Sequence, residues 1–224
     1  MRTADISFKL GQVLDKIGEH VLAKPYYEHC LLIRKKDQNL LQEEMALTYF
    51  YKGKNSILCC SNKEAIELFQ EALKIRRLIH GDNSFPVAST LQELGRAYEN
   101  SKSEDKAIIC YKEALRVRKD LDTEKDTDFI LLLFHIAKCF ETSQNFDKAI
   151  QHYQECLENV KVKKQDEYLI PIIHYRTGIL YHKMRKYSEA TNNLDIGLSL
   201  YAKDENSAES TDVIIEIMTL LCQI

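Results

Sequence analysis

Leu91-Gln92-Glu93-Leu94-Gly95-Arg96-Ala97-Tyr98, followed nine residues on by Ala107-Ile108-Ile109-Cys110-Tyr111-Lys112-Glu113-Ala114, is the stretch on which the whole chain is patterned. With Ala88 as position 1, Leu falls at 4 and 7, Gly at 8, Tyr at 11, Ala at 20, Tyr at 24 and Ala at 27. Apolar residues three and four apart predict two amphipathic helices, A and B, joined by a polar turn. The pattern recurs. Ala23, Ala65, Ala107, Ala149 and Ala190 stand 42, 42, 42 and 41 residues apart. Four residues beyond each lies a bulky side chain, Tyr27, Phe69, Tyr111, Tyr153 or Leu194, and three further a small one, Cys30, Ala72, Ala114, Cys156 or Gly197. Twelve residues before each Ala comes Gly11, Gly53, Gly95, Ala137 or Gly178. Five helix-turn-helix units in register follow, with small residues where backbones must approach closely.

The predicted units run over about 4–37, 46–80, 88–121, 130–163 and 171–203. No unit can bury its apolar face alone, so neighbours stack and share stability. Pro25 is placed near the start of its helix B, where a missing N–H is tolerated. The second unit is the least regular: Lys52 and Ser56 hold positions 7 and 11, which leaves the register of its helix A open. Ile75, Leu78 and Ile79 carry helix B about two turns beyond position 27, up to Gly81. Arg76, Arg77, Arg116, Arg118 and Lys119 sit at these helix C-termini, where they complement the helix dipole better than they form a nucleic-acid stripe. After a polar link, 203–210, residues 207–224 read as a capping helix or as helix A of an incomplete sixth unit, apolar nearly all round. Such a helix packs as a lid on the last unit or marks a longer array.

Ten glycines and prolines in 224 residues, no Trp, abundant Leu, Ile, Ala, Glu and Lys, and little Val or Thr alternation point to an all-helical chain. Acidic and basic residues nearly balance, 34 against 31, so no overall field attracts nucleic acid or an anionic membrane. Seven cysteines, an odd number with no C-x-x-C pair, argue for a reduced, cytoplasmic setting. The apolar run 129–136 is too short to cross a bilayer. No phosphate-binding loop, H-E-x-x-H or Gly-flanked nucleophile is present, so neither catalytic residue, cofactor nor metal is expected. His135, His174 and His182 are lone helical histidines, and the cysteines are assigned to packing or turns.

This spacing resembles the tetratricopeptide repeat, here with 42-residue units in place of about 34. Ala72-Leu73-Lys74-Ile75-Arg76-Arg77, Gly81-Asp82 with Pro86, and Leu91 to Gly95 are similar to the repeats of kinesin light chains and of nephrocystin-type proteins. Gln92 and Glu93 depart from the paired Asn of that family, and the heptad coiled coil that joins light chains to motor subunits is absent. The resemblance implies an all-α, right-handed superhelix (α-solenoid) of five units plus a C-terminal helix. It adds cytoskeletal or ciliary association to the cytoplasmic expectation.

It also implies a site. In the family, positions 2, 5, 9, 12 and 13 of helix A line a concave groove for partner peptides. Position 5 holds Phe8, Phe50, Gln92, Phe134 and Tyr175; position 9 holds Gln12, Lys54, Arg96, Lys138 and Ile179. An aromatic row beside three consecutive basic residues suits a protein partner with an acidic-aromatic motif, which kinesin light chains recognise. The candidate groove is therefore Phe8, Phe50, Lys54, Gln92, Arg96, Phe134, Lys138 and Tyr175. Two plainer readings stand beside it, that the aromatics are core and that the basic row is a solvated face. The clamp for acidic C-terminal tails is excluded by Phe8 and Gln12. An architectural subunit or homo-oligomer assembled through the C-terminal helix is the alternative; an RNA-reading helical repeat is disfavoured by period and charge.

Overall fold

The computed structural model describes residues 2–36, 42–121, 127–160, 166–202 and 208–224. The predicted unit ends at 37, 161–163 and 203 and most of the polar link lie outside these. Eleven helices account for nearly all described residues, and no strand occurs among them. They are α1 (Arg2–Lys16), α2 (His20–Lys36), α3 (Gln42–Leu58), α4 (Asn62–His80), α5 (Phe85–Asn100), α6 (Glu104–Asp120), α7 (Thr127–Thr142), α8 (Phe146–Val160), α9 (Leu169–Lys183), α10 (Tyr187–Tyr201) and α11 (Ala208–Leu221). Contacts divide the chain into two compact bodies, 1–123 with α1 to α6 and 124–224 with α7 to α11. Within each body consecutive helices pair as antiparallel hairpins, A then B.

One turn is used five times. Gly18, Cys60, Lys102, Gln144 and Arg185, again 42, 42, 42 and 41 residues apart, all adopt positive φ between 54° and 86°. The next amide then donates back to the carbonyl five residues earlier, as in Ser103 to Tyr98 at 3.0 Å and Asn145 to Phe140 at 2.9 Å. This closes the last turn of helix A and satisfies carbonyls that would otherwise be orphaned. The central Ala of helix B then donates to the residue before it, as in Ala107 to Ser103 at 3.0 Å. Pro25 sits at the sixth residue of α2 rather than in its first turn, because this shared turn starts α2 at His20.

Where A and B cross, the bulky residue of B lies on the small residue of A. A Cβ at Gly95 would fall 2.5 Å from the Tyr111 ring, and one at Gly53 would fall 2.8 Å from the Phe69 ring. Gly53 thus settles the register of α3: Lys52 and Ser56 do occupy positions 7 and 11, and both are buried. Tyr27, Tyr111 and Tyr153 are fully buried, and each hydroxyl donates to the acid at position 12, Asp15 at 2.8 Å, Glu99 at 2.8 Å and Glu141 at 2.7 Å. Where the tyrosine becomes Phe69, the acid becomes Ile57. The two positions vary together because a buried hydroxyl and a half-buried carboxylate each need the other.

Helix B runs on as the sequence indicates, α4 to His80 with Gly81 as its cap. In the second body, α7 is buried along Phe129, Ile130, Leu132, Leu133 and Ile136. Burial pushes the Cys110 thiol up to about 11 and the Cys156 thiol up to about 12, so both act as small apolar side chains in the packing.

Candidate functional site

The position-5 row does not stand clear of the core. Phe8 is buried, edge-on to Tyr27 and Tyr51 with ring centroids 6.1 and 5.4 Å away. Phe50 is half-buried against Phe69 at 5.8 Å, and Phe134 against Tyr153 at 5.7 Å. Half-buried Tyr175 is hydrogen-bonded to Glu216 of α11; burial first, and this carboxylate second, raise its pKa well above the usual tyrosine range.

A guanidinium lies over three of these four rings. Arg34 lies 5.3 Å over Phe8, Arg76 lies 4.6 Å over Phe50, and Arg176 lies 6.0 Å over Phe134. Gln92 replaces the aromatic in the third unit, and there Arg118 donates to its side-chain oxygen at 3.4 Å. Arg34, Arg76 and Arg118 are 42 residues apart and buried. Arg34 also donates to the Glu44 carbonyl at 2.7 Å and to the Thr48 hydroxyl at 2.6 Å, and Arg76 to the Pro86 carbonyl at 3.1 Å and the Thr90 hydroxyl at 2.8 Å. Arg34 and Arg76 therefore tie their own helix B to the next helix A, a role beyond the dipole complement expected from sequence. Their 42-residue spacing was the available signal. Burial lowers the Arg76 pKa, with Glu43 opposing, yet the group stays charged. Arg76→Lys is expected to cost about 2 kcal/mol, read from urea unfolding, because a single ammonium cannot reproduce the fork and the ring stacking.

The basic row is more open but not uniform. In the first body, Lys54 Nζ lies 5.9 Å from the centroids of both Phe50 and Tyr51. Arg96 is paired with Glu93 on its own helix at 2.6 Å. In the second body, Lys138 is half-buried on α7. Between α1 and α3 the first body has a cleft of about 360 Å³ lined by Gln12, Asp15, Lys16, Tyr27, Tyr51, Lys54 and Leu58. Its walls hold positions 9, 12 and 13 of helix A, the face the sequence pointed to, together with position 6. Asp15 is engaged by three donors: it accepts from Tyr27, from Asn55 at 2.8 Å and from His20 at 3.0 Å. Lys16 and Lys54 are the cations that this cleft presents.

Beside it lies a cluster that sequence reading missed. Lys52 Nζ meets Glu64 at 3.0 Å and Glu28 at 3.7 Å, and Lys24 meets the other Glu64 oxygen at 3.0 Å. Burial pushes the Glu64 carboxyl up, but Lys52 and Lys24 together hold it below the usual range. The irregular Lys52 is thus accounted for by a helix-crossing ion pair. Among the described residues no group of three or more His, Cys, Asp or Glu is arranged to hold a metal ion, and no helix is long and apolar enough to cross a membrane.

Tetratricopeptide repeat family profiles match residues 4–37, 44–120 and 132–160. No match was found among curated protein sequences. Solved structures share the fold at low identity. BtubC (BKLC) from P. vanneervenii is 15% identical over 92% of this chain and 89% of its own, with a TM-score of 0.77. The kinesin light chain TPR-like repeats of Podosopora anserina are 14% identical over 91% and 96%, with a TM-score of 0.76. MamA is 16% identical over 92% and 97%, with a TM-score of 0.67. With its small-over-bulky hairpin crossings, its single repeated turn and these matches, the chain is an all-α tetratricopeptide repeat protein whose repeats resemble those of kinesin light chains.

Proposed function

We propose that this protein is a non-catalytic, cytoplasmic interaction scaffold that takes an acidic-aromatic peptide along its helix A faces. The tetratricopeptide fold is a scaffold for protein partners, and the α1–α3 cleft is the observation that supports the finer reading. It is concave, it offers Tyr51 as a partly exposed ring, and Lys16 and Lys54 flank it for carboxylates. Phe50, Gln92 and Arg96 extend this face within the first body, and Phe134, Lys138 and Tyr175 form the corresponding patch of the second. Phe8 contributes by holding Tyr51 in place rather than by touching the ligand.

Acidic-aromatic peptides titrated against wild-type protein and against Lys54→Glu, Arg96→Glu and Lys138→Glu test this. Lys54→Glu should weaken binding about tenfold, equal to about 1.4 kcal/mol. Arg96→Glu should weaken it less, since Glu93 already meets that charge. Unchanged affinity in the triple variant would remove the proposal. The alternative, an architectural subunit that assembles through α11, is favoured by Ile215 and Met218, which stand exposed on that helix.

A further inference from the structure

Helix A of a hairpin turns two stripes of side chains toward other helices. Positions 4, 7, 8 and 11 face the unit's own helix B; in the fourth unit these are Leu133, Ile136, Ala137 and Phe140, all buried. In α3, positions 3, 6 and 10 face the preceding hairpin: Thr48 meets Arg34, Tyr51 meets Phe8 and Asn55 meets Asp15. The fifth unit starts at Pro171, 41 residues after Ile130, and a further 41 residues places position 1 of α11 at Asp212. On that phase the second stripe is Ile214, Ile217 and Leu221. Ile217 is fully buried, the other two are half-buried, and α11 packs on α10 as a helix A should. The first stripe is Ile215, Met218, Thr219 and Cys222. Ile215 is 58% exposed and Met218 54%, and Thr219 and Cys222 are exposed with them, around an open hollow of about 450 Å³. No described helix covers it.

We propose that this stripe docks one amphipathic helix of a partner chain, seated antiparallel to α11 and patterned like helix B of this protein. Such a helix would stand to α11 as helix B stands to helix A in each hairpin. Its chemistry is written three times in the chain, as Ala23-Tyr27-Cys30-Arg34, Ala65-Phe69-Ala72-Arg76 and Ala107-Tyr111-Ala114-Arg118. The arginine, eleven residues after the alanine, ends at position 5, against Phe8, Phe50 or Gln92. In α11 position 5 is Glu216, a carboxylate that already accepts the Tyr175 hydroxyl and has lone pairs left for a guanidinium. Charge complementarity therefore singles out a helix with arginine at that place. Thr219 stands where the other units have glycine or, in the fourth, Ala137, and its γ atoms take up space that an aromatic ring fills elsewhere, so a small residue is placed opposite it. Met218 is unbranched and adapts to what remains.

The probe is a synthetic, fluorescently labelled peptide of residues 103–121 carrying Tyr111→Ala, titrated into the full chain by anisotropy. Saturable binding is expected, with slower alkylation of Cys222 in the bound state. Met218→Glu, at an exposed position, should weaken it at least tenfold. A peptide with Arg118→Glu should bind weakly to wild type and recover on Glu216→Arg protein. Absence of saturable binding, or binding unaffected by Met218→Glu, would overturn the proposal. So would a doubled mass by light scattering that Met218→Glu restores to one chain, since a second copy would then occupy the stripe. Lys54→Glu should leave this binding unchanged, which keeps its outcome separate from that of the α1–α3 cleft.

Discussion

Tyr111→Ala is expected to lower the unfolding free energy by about 3–5 kcal/mol, the range for emptying a fully buried aromatic site. The ring fills the crossing of α5 and α6 over Gly95, which has no side chain of its own to take up the space. Tyr111→Phe keeps the ring and removes only the hydroxyl that Glu99 accepts at 2.8 Å, so its cost should be near 1 kcal/mol. Combining Tyr111→Phe with Glu99→Ile recreates the Phe69 and Ile57 pair of the second unit. The double variant should then lose less than the sum of the two single ones, by about 0.5 kcal/mol or more. Urea unfolding followed by circular dichroism measures all four proteins. Strict additivity would show that the tyrosine and the acid vary together for some reason other than their contact.

Glu64→Ala is the second large effect, a loss of about 2–3 kcal/mol. Removing one partner of a buried ion pair costs more than that, but the Glu64 side chain is 30% exposed and part of the charge is screened. What remains is Lys52, 11% exposed, with Glu28 at 3.7 Å as its acidic neighbour. Lys52→Met removes the charge and keeps the volume, so it should be neutral or mildly stabilising, and Lys52→Met with Glu64→Ala should recover most of the loss. The pH dependence follows the same contact. The folded Glu64 pKa is depressed below 4.5, so its contribution is present above that value and disappears as the pH falls through the folded value. Lys24 agrees in sign from the other side: chiefly through its hydrogen bond to Glu64 its pKa is raised above 10.5, so its share persists at neutral pH and fades only as the pH rises through the raised value. The wild-type urea midpoint should therefore drop on acidification below about pH 4.5 more steeply than that of Lys52→Met with Glu64→Gln.

The hairpins were legible because their requirement is local. A small residue at position 8 and another at 20 admit a bulky one at 24, and Gly95, Ala107 and Tyr111 state that requirement along the chain. The candidate groove was legible only in part. Position 9 is half-buried, and nothing about Lys54 or Arg96 taken alone reveals that Glu93 lies against one of them and two aromatic rings against the other. Position 5 was harder. Whether Phe8 lines a groove or fills a core depends on Arg34, which is distant in sequence and arrives through the length of helix B.

Sequence alone therefore determined the repeat, its period, the helix order and the places where backbones touch, because these follow from side-chain size at fixed helical spacing. Tertiary structure decided the fate of the charges. A buried arginine row beneath the aromatic positions and a lysine held between two glutamates arise from groups brought together across neighbouring helices, and the α11 stripe is defined by the absence of a described helix over it. Their energies depend on burial and on partners that no single helix contains.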